Sequence, residues 1–400
     1  MKIQYLLFTC ILLISFFKAS AQDVTTNSFG NGIINSVAKD SSFSIKFGAR
    51  FQSLYISNWR NSEFEGFKSE SSNFLIRRAR LKFNGFAYSP KLEYKIELGL
   101  SNRDISGASE FTSGAPRYVL DAVLKWNFFE NFVLWAGQAK LPGNRERVVS
   151  SGNLQFVDRS LLNSQFNIDR DLGVQLHHKI NLGNQVVVKE AFALSQGEGR
   201  NVVTGNLGGY QYTGRLEVLP FGEFKDYSEA SLERYQTPKL AIGVTYDYND
   251  EAVKTRSNMG GYMFTENGLH RTDITTFFAD FMFKYKALSI LGEFAHRDAD
   301  KPIAVEEDGT PTGAIVNVGN AINLQGGYLL DNNIEFVGRF TNVNEDIPGA
   351  RFPNQNQYTL GISKYISKHK LKVQTDVSFN DNPEPAMNNI VYRLQIDLHL

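Results

Sequence analysis

The side chains with the clearest chemical pattern in this chain are basic. Arg145, Arg147, Arg159 and Arg170 fall within one stretch, LPGNRERVVSSGNLQFVDRSLLNSQFNIDR, residues 141–170. Arg50, Arg78, Arg80, Lys82, Lys95, Lys125 and Lys140 precede it, mostly at alternating positions. A guanidinium presents a planar fork of donors that matches the oxygens of carboxylates and phosphates. Such groups converging on one space would attract and guide anions. Neutralisation opposes this: Glu146, Asp158 and Asp169 adjoin the loop arginines, and the stretch carries a net charge of only plus 1.

Other groupings carry less. His296, Arg297 and Asp298 spell the tripeptide of a kinase catalytic loop, but no phosphate-cradling loop or metal-binding motif accompanies them. His177 and His178 are adjacent, and adjacent side chains on a strand point to opposite faces, so they cannot share a metal. His177 reads as a lumenal polar residue. Glu306, Glu307 and Asp308 before Gly309 read as a solvated acidic loop tip, and Gly197 and Gly199 lack the strand-to-helix setting of a nucleotide site. The expectation is a protein without catalytic residues, metal or cofactor.

The elements that must position the cations are strands. Apolar and polar residues alternate with period two in segments such as SFSIKFGARFQSLY, SNFLIRRARLKFNG, KLEYKIELGL, TTFFADFMFKYK and NIVYRLQIDLHL, and the pattern recurs about sixteen times. In the last segment Ile390, Tyr392, Leu394, Ile396, Leu398 and Leu400 share one face, with Arg393, Gln395, Asp397 and His399 on the other. Such lengths suit a tilted crossing of a hydrocarbon layer by strands of about 9 to 11 residues. Connectors alternate too. FAYSP, NFFEN, NLGN, Lys286–Ala287, LLDNN and SKH are short, whereas 57–72, 104–116, 141–170, 251–270, 299–317 and 343–355 are long and polar. One connector, PFGEFKDYSEASLERYQTP at 220–238, is long on the short-turn side. Aromatic residues beside strand ends, including Phe86, Tyr88, Trp126, Phe128, Phe129, Phe132, Tyr246, Tyr248, Tyr365 and Tyr392, fit interfacial girdles.

Residues 1–21, MKIQYLLFTCILLISFFKASA, combine a lysine, an apolar run and small residues spaced as at a signal peptidase site. They read as a secretory signal peptide, followed by a polar leader over 22–42 and a barrel over 43–400. Beyond residue 21 there is no cysteine, and 40 basic residues face 42 acidic ones. That balance offers nothing to nucleic acid. No uncharged apolar run there reaches the roughly 18 residues of a membrane helix.

Strand parity assigns faces. Leu75, Ala79, Leu81 and Phe83 are expected outward, placing Arg78, Arg80 and Lys82 in the lumen and leaving Arg77 discordant on the lipid face. Glu93, Lys95 and Glu97 face inward from the next strand, with Lys82 expected opposite Glu93, Arg80 opposite Lys95 and Arg78 opposite Glu97. Lys46, Arg50, Gln52, Asp121, Lys125, Gln138 and Lys140 follow the same inward phase.

Three stretches, FLIRRARLKFNG (74–85), WAGQAKLPGNRERVVSSGNLQFVDRS (135–160) and RDLGVQLHHKI (170–180), resemble the phosphate-selective porin O and P family. Residues 30–52 and the PFGEF connector at 220–224 are also similar to it, while the terminal Leu400 departs from the aromatic residue common at barrel C-termini. The resemblance implies a sixteen-stranded, trimeric, transmembrane antiparallel barrel whose third long loop, 141–170, folds inward as a constriction lined by anion-guiding cations. The expected protein is an all-β porin in the outer membrane of a Gram-negative cell. It would contact membrane lipid and pass small hydrophilic solutes with a preference for anions such as phosphate. A plugged barrel acting as a receptor or secretion component, and a general porin without selectivity, remain the alternatives.

Overall fold

The computed structural model describes residues 28–62, 66–347 and 354–400. The expected signal peptide and the start of the leader lie outside the described residues. Period-two alternation is realised as sixteen antiparallel barrel strands. These are β1 Ser44–Ser62, β2 Gly66–Ala87, β3 Ser89–Gly99, β4 Val119–Phe129, β5 Phe132–Lys140, β6 Arg170–Leu182, β7 Val186–Ser195 and β8 Gln211–Leu219. They continue as β9 Lys239–Ala252, β10 Thr272–Tyr285, β11 Leu288–Ala299, β12 Gly319–Leu329, β13 Ile334–Glu345, β14 Gln355–Ser367, β15 Leu371–Asp381 and β16 Asn389–His399. Because β1 pairs with both β2 and β16, the sheet closes. Closure leaves no long edge and satisfies the backbone within the wall, which is what permits a sheet to cross lipid. A short strand, Ile34–Val37, continues the seam by pairing with Ser44–Phe47 where β16 ends.

The two faces of the wall differ as parity requires. In β9, Ala241, Thr245, Asp247 and Asn249 are buried, whereas Ile242, Val244 and Tyr246 are exposed on the outside. The protein is thus polar within and apolar without.

Several expectations are corrected by local geometry. Within the polar stretch 57–72 the described residues are strand: β1 runs on to Ser62 and β2 begins at Gly66. A register shift opposite Gln52 and Ser53 makes Arg77 the extra residue of a bulge, so it points inward to Asp158 at 2.9 Å instead of toward lipid. Beyond the bulge parity reverses, and Phe74 and Ile76, not Leu75, are exposed. The β2–β3 hairpin closes at Tyr88, whose φ is 66°, with an irregularity that takes in Pro90. The register therefore slides, setting Lys82 opposite Glu97 and Lys95 opposite Asn84. Tyr365 belongs to no girdle; it is buried and donates to Glu335 at 2.6 Å.

Candidate functional site

Two segments fold into the barrel from opposite ends. Residues 141–169 include two short helices, α1 Arg145–Val148 and α2 Leu161–Phe166, which alternation alone did not suggest. Ser160 caps α2 by accepting from the Asn163 backbone N–H at 3.2 Å. Leu162, Phe166 and Ile168 are fully buried against Ala193, Phe278, Ala295, Ala321 and Val343, which are inward positions of β7 and β10–β13. Burying side chains of this size stabilises by roughly 1.5–3 kcal/mol each, and small inward residues on the wall make the room.

The tip of this segment crosses the lumen. Gln155 donates from Nε2 to Ser289 and Glu335, each at 2.7 Å, and accepts at Oε1 from Gln325 at 2.8 Å. Its carbonyl accepts from Ser363 at 2.9 Å and Gln374 at 2.6 Å. These partners come from five successive strands, β11 to β15. Gly361 admits the neighbouring Phe156, because a Cβ there would lie 2.8 Å from the ring.

Residues 220–238 enter from the short-turn side. Lys284 of β10 donates to the carbonyls of Lys225 and Ala230 at 2.8 and 3.0 Å, and to that of Ser228. Glu229 joins the two segments: its N–H donates to Asn153 at 3.0 Å, and its Oε2 accepts from the Gln155 N–H at 2.7 Å. Burial, and then the charge of Glu146, push the Glu229 carboxyl up to about 7.

What the two segments leave is a cavity of about 830 Å³ bounded by β2–β8 and the inner side of 141–170. Among the described residues, β1 and β9–β16 contribute nothing to its lining. It reaches from Arg103 and Arg117 in the long β3–β4 loop to Asn131 in the short β4–β5 turn. A second cavity of about 380 Å³, lined by Lys82 and Glu93, shares Lys95 and Lys125 with it. Sixteen lysines and arginines line the larger cavity against six carboxylates.

Those cations divide into two sets. Arg80 pairs with Asp104 at 2.6 Å and Glu97 at 3.0 Å; Arg170 pairs with Asp121 at 2.7 Å; Lys95 meets Glu97 at 2.9 Å and also Asp121. Arg147 is held by Asp169. The second set is held by neutral groups. Lys140 donates to the carbonyls of Arg147, Val148 and Val149 at 2.7–3.3 Å. Arg159 donates to those of Glu146 and Val149, each at 2.7 Å. Arg200 donates to the Asp104 carbonyl, Lys254 to that of Glu198 at 2.6 Å, and Lys125 lies 3.7 Å from the centroid of the Trp135 ring. Burial, and then Arg147, draw Arg159 down to about 9, so it stays cationic at neutral pH. Arg78 is buried and donates to Gln52 at 2.5 Å, with Asp158 4.0 Å away.

The lining thus contains Arg78, Arg80, Lys95, Lys125, Lys140, Arg147, Arg159 and Arg170, with Lys82 in the smaller cavity. Arg50 and Arg145 lie elsewhere. Arg50 ties the wall to the segment, bonding Asp397 at 2.7 Å and Ser151 at 2.6 Å. Arg145 is enclosed by Glu217, Asp226 and Asp280. Sequence reasoning missed Lys189 and Arg215, which inward parity in β7 and β8 would have found. It also missed Arg103, Arg117 and Arg200, which lie in loops, and Lys254, which opens the strand Lys254–Tyr262 in the long 251–270 connector, where no barrel periodicity points at them.

Comparison with known proteins follows this geometry. A family model described as phosphate-selective porin O and P matches residues 46–330. An uncharacterized protein of Aquifex aeolicus (strain VF5) is 23% identical over 376 residues, covering 84% of this chain and 83% of that one. The fold is similar to the outer membrane protein OmpT of Vibrio cholerae, with a TM-score of 0.54, 12% identity and coverage of 91% and 99% of the two chains. It is also similar to the anion-selective porin from Comamonas acidovorans, with a TM-score of 0.54, 11% identity and coverage of 90% and 100%. The outer membrane channel DcaP of Acinetobacter baumannii aligns with a TM-score of 0.52 at 14% identity over 91% and 99%.

Proposed function

The chain belongs to the phosphate-selective porin O and P family, an outer-membrane porin by family and by fold, and from that premise we propose that it is an anion-preferring diffusion channel of a Gram-negative outer membrane. One observation carries the preference: a passage lined by sixteen basic and six acidic side chains in a chain whose formal net charge is +0. A low-dielectric wall focuses that imbalance on the solute and enriches anions locally. Within it, Lys125, Arg159 and Arg200, which are held by neutral groups, attract the solute, and the residues paired with carboxylates shape the wall. Residues 141–170 act as the constriction. Phosphate is a fitting solute because guanidinium forks match its oxygens. The similarity to an anion-selective porin agrees with this reading.

The wider assignment includes export by the signal peptide over 1–21, a barrel over 43–400, contact with outer-membrane lipid and assembly as a homotrimer. The continuity of the cavity from the long loops to the short turns supports diffusion over a plugged receptor. The test is the zero-current potential across a planar bilayer in a KCl gradient. Chloride selectivity is expected, and a potassium-selective sign would overturn the reading.

A further inference from the structure

The passage also has an apolar side. Inward positions elsewhere that carry apolar groups, such as Ala193, Phe278 and Ala295, are covered by α2. Val133, Trp135 and Ala191 are not; they line the cavity beside His177, whose Nε2 lies 3.0 Å from Gln175 Oε1. The ladder places Val133 opposite His177 and His177 opposite Ala191, so the three form one lateral row across β5, β6 and β7. At about 4.8 Å per strand, that row is roughly 10 Å wide. Trp135 stands directly opposite Lys125 in the neighbouring register. Its indole has the Lys125 Nζ 3.7 Å from the ring centroid and the His177 ring stacked at 4.2 Å. The next residue along the row beyond Ala191 is Arg215, already bound to Asp280 at 2.8 Å and to Glu217.

We propose that this row is a subsite for organic anions, in which Lys125 receives a carboxylate and Val133, Ala191 and the His177 ring take a flat apolar body, while the Trp135 indole, sandwiched between Lys125 and His177, holds both in place. The physical argument is one of mismatch. An inorganic anion gains nothing from apolar wall, and an apolar strip facing an aqueous path stays exposed to water unless a solute with an apolar body covers it. The aromatic ring holds the ammonium in place; Glu93 lies opposite Lys125 on the next strand, but among the described residues no ion pair within 4.0 Å joins the two, so the ammonium can still meet a ligand. A width of roughly 10 Å suits a single aromatic ring bearing one acid group. This assignment rests on the anion-channel reading and narrows its solute class.

The experiment uses the full-length protein in planar bilayers, with chloride current measured while sodium benzoate or sodium acetate is added. Both acids present the same carboxylate, and only benzoate has the flat body. Benzoate is expected to reduce the chloride current at concentrations about three- to tenfold below acetate, the range that one aromatic contact contributes. Trp135→Ala and Val133→Ser should each shrink that gap, while Lys125→Gln should weaken both anions together. A potassium-selective wild-type channel would remove the underlying reading. An anion-selective channel on which benzoate and acetate act at equal concentration would overturn the subsite alone, and that comparison needs no variant. A benzoate preference that survives both Trp135→Ala and Val133→Ser would also overturn it.

Discussion

Nε of Arg145, in the first helical turn of the inward segment, donates to Oδ1 of Asp280 on the facing wall at 2.7 Å. The same guanidinium reaches Glu217 at 2.9 Å and Asp226 at 3.3 Å, and its side chain is fully buried. One arginine thus fastens the segment 141–170 to β8, to β10 and to the second inward segment. Arg145 is a fastening, and it does not line the cavity.

Arg145→Ala should therefore act on stability more than on selectivity. Removing Arg145 leaves Glu217, Asp226 and Asp280 to Arg215 and Lys189, so the buried cluster lacks one cation, at a cost of up to about 3–5 kcal/mol. A lower thermal midpoint and noisier single-channel current are expected, with the zero-current potential nearly unchanged. A shift toward potassium as large as that of a passage variant would contradict the assignment.

Charges without a carboxylate partner should dominate selectivity. Lys125→Gln and Arg159→Gln are expected to move the zero-current potential toward potassium, whereas Lys95→Gln, which leaves Glu97 to Arg80 alone and Asp121 to Arg170 alone, should also destabilise the wall. The shifts should diminish as salt is raised from about 0.1 M to 1 M, because the screening length falls from about 10 Å to 3 Å. Equal shifts at both salt concentrations would contradict an electrostatic origin.

Glu229 should make the docking of the two segments depend on pH. Its carboxyl is raised to about 7, so the folded state keeps a proton that the unfolded chain releases near the ordinary carboxyl value. The associated stability is fully present below that ordinary value and is lost as pH rises through about 7. Thermal midpoints of the wild type should fall across this window relative to Glu229→Gln, whose neutral amide does not titrate. Parallel pH profiles for the two proteins would exclude the role.

Lys284→Met should free residues 220–238. The change removes a donor shared by three carbonyls and leaves them buried, at about 1–3 kcal/mol for each group left unsatisfied. Faster proteolysis within that segment is expected in detergent-solubilised protein, with barrel β-content by circular dichroism retained. Protection equal to the wild type would show that other contacts hold it.

Strand number, closure and the inside–outside assignment were legible because a wall between lipid and a polar interior imposes period two on every strand. In β16, Arg393, Gln395 and Asp397 are buried inward and Leu394 and Ile396 are exposed, as their alternation indicates. Connector lengths likewise separated the two ends of the barrel and singled out 220–238 as exceptional. Alternation alone could not show a bulge. Arg77 changed face, and Lys82 changed partner, because one extra residue in a ladder shifts every pairing beyond it.

The sequence by itself therefore determined the barrel and the set of cations available to its interior, since both follow from local periodicity and residue type. Only the tertiary structure decided which cations meet carboxylates and which line the cavity. Glu146, Asp158 and Asp169 sit beside arginines in the chain, yet the pairings that matter are Arg145 with Asp280, Arg77 with Asp158 and Arg147 with Asp169. Burial alone would raise the Asp158 carboxyl; Arg77, Arg393 and Arg78, from strands far apart in sequence, hold it well below the usual range. Charge cancellation depends on distance in space, and folding a long segment across the lumen sets those distances independently of separation along the chain.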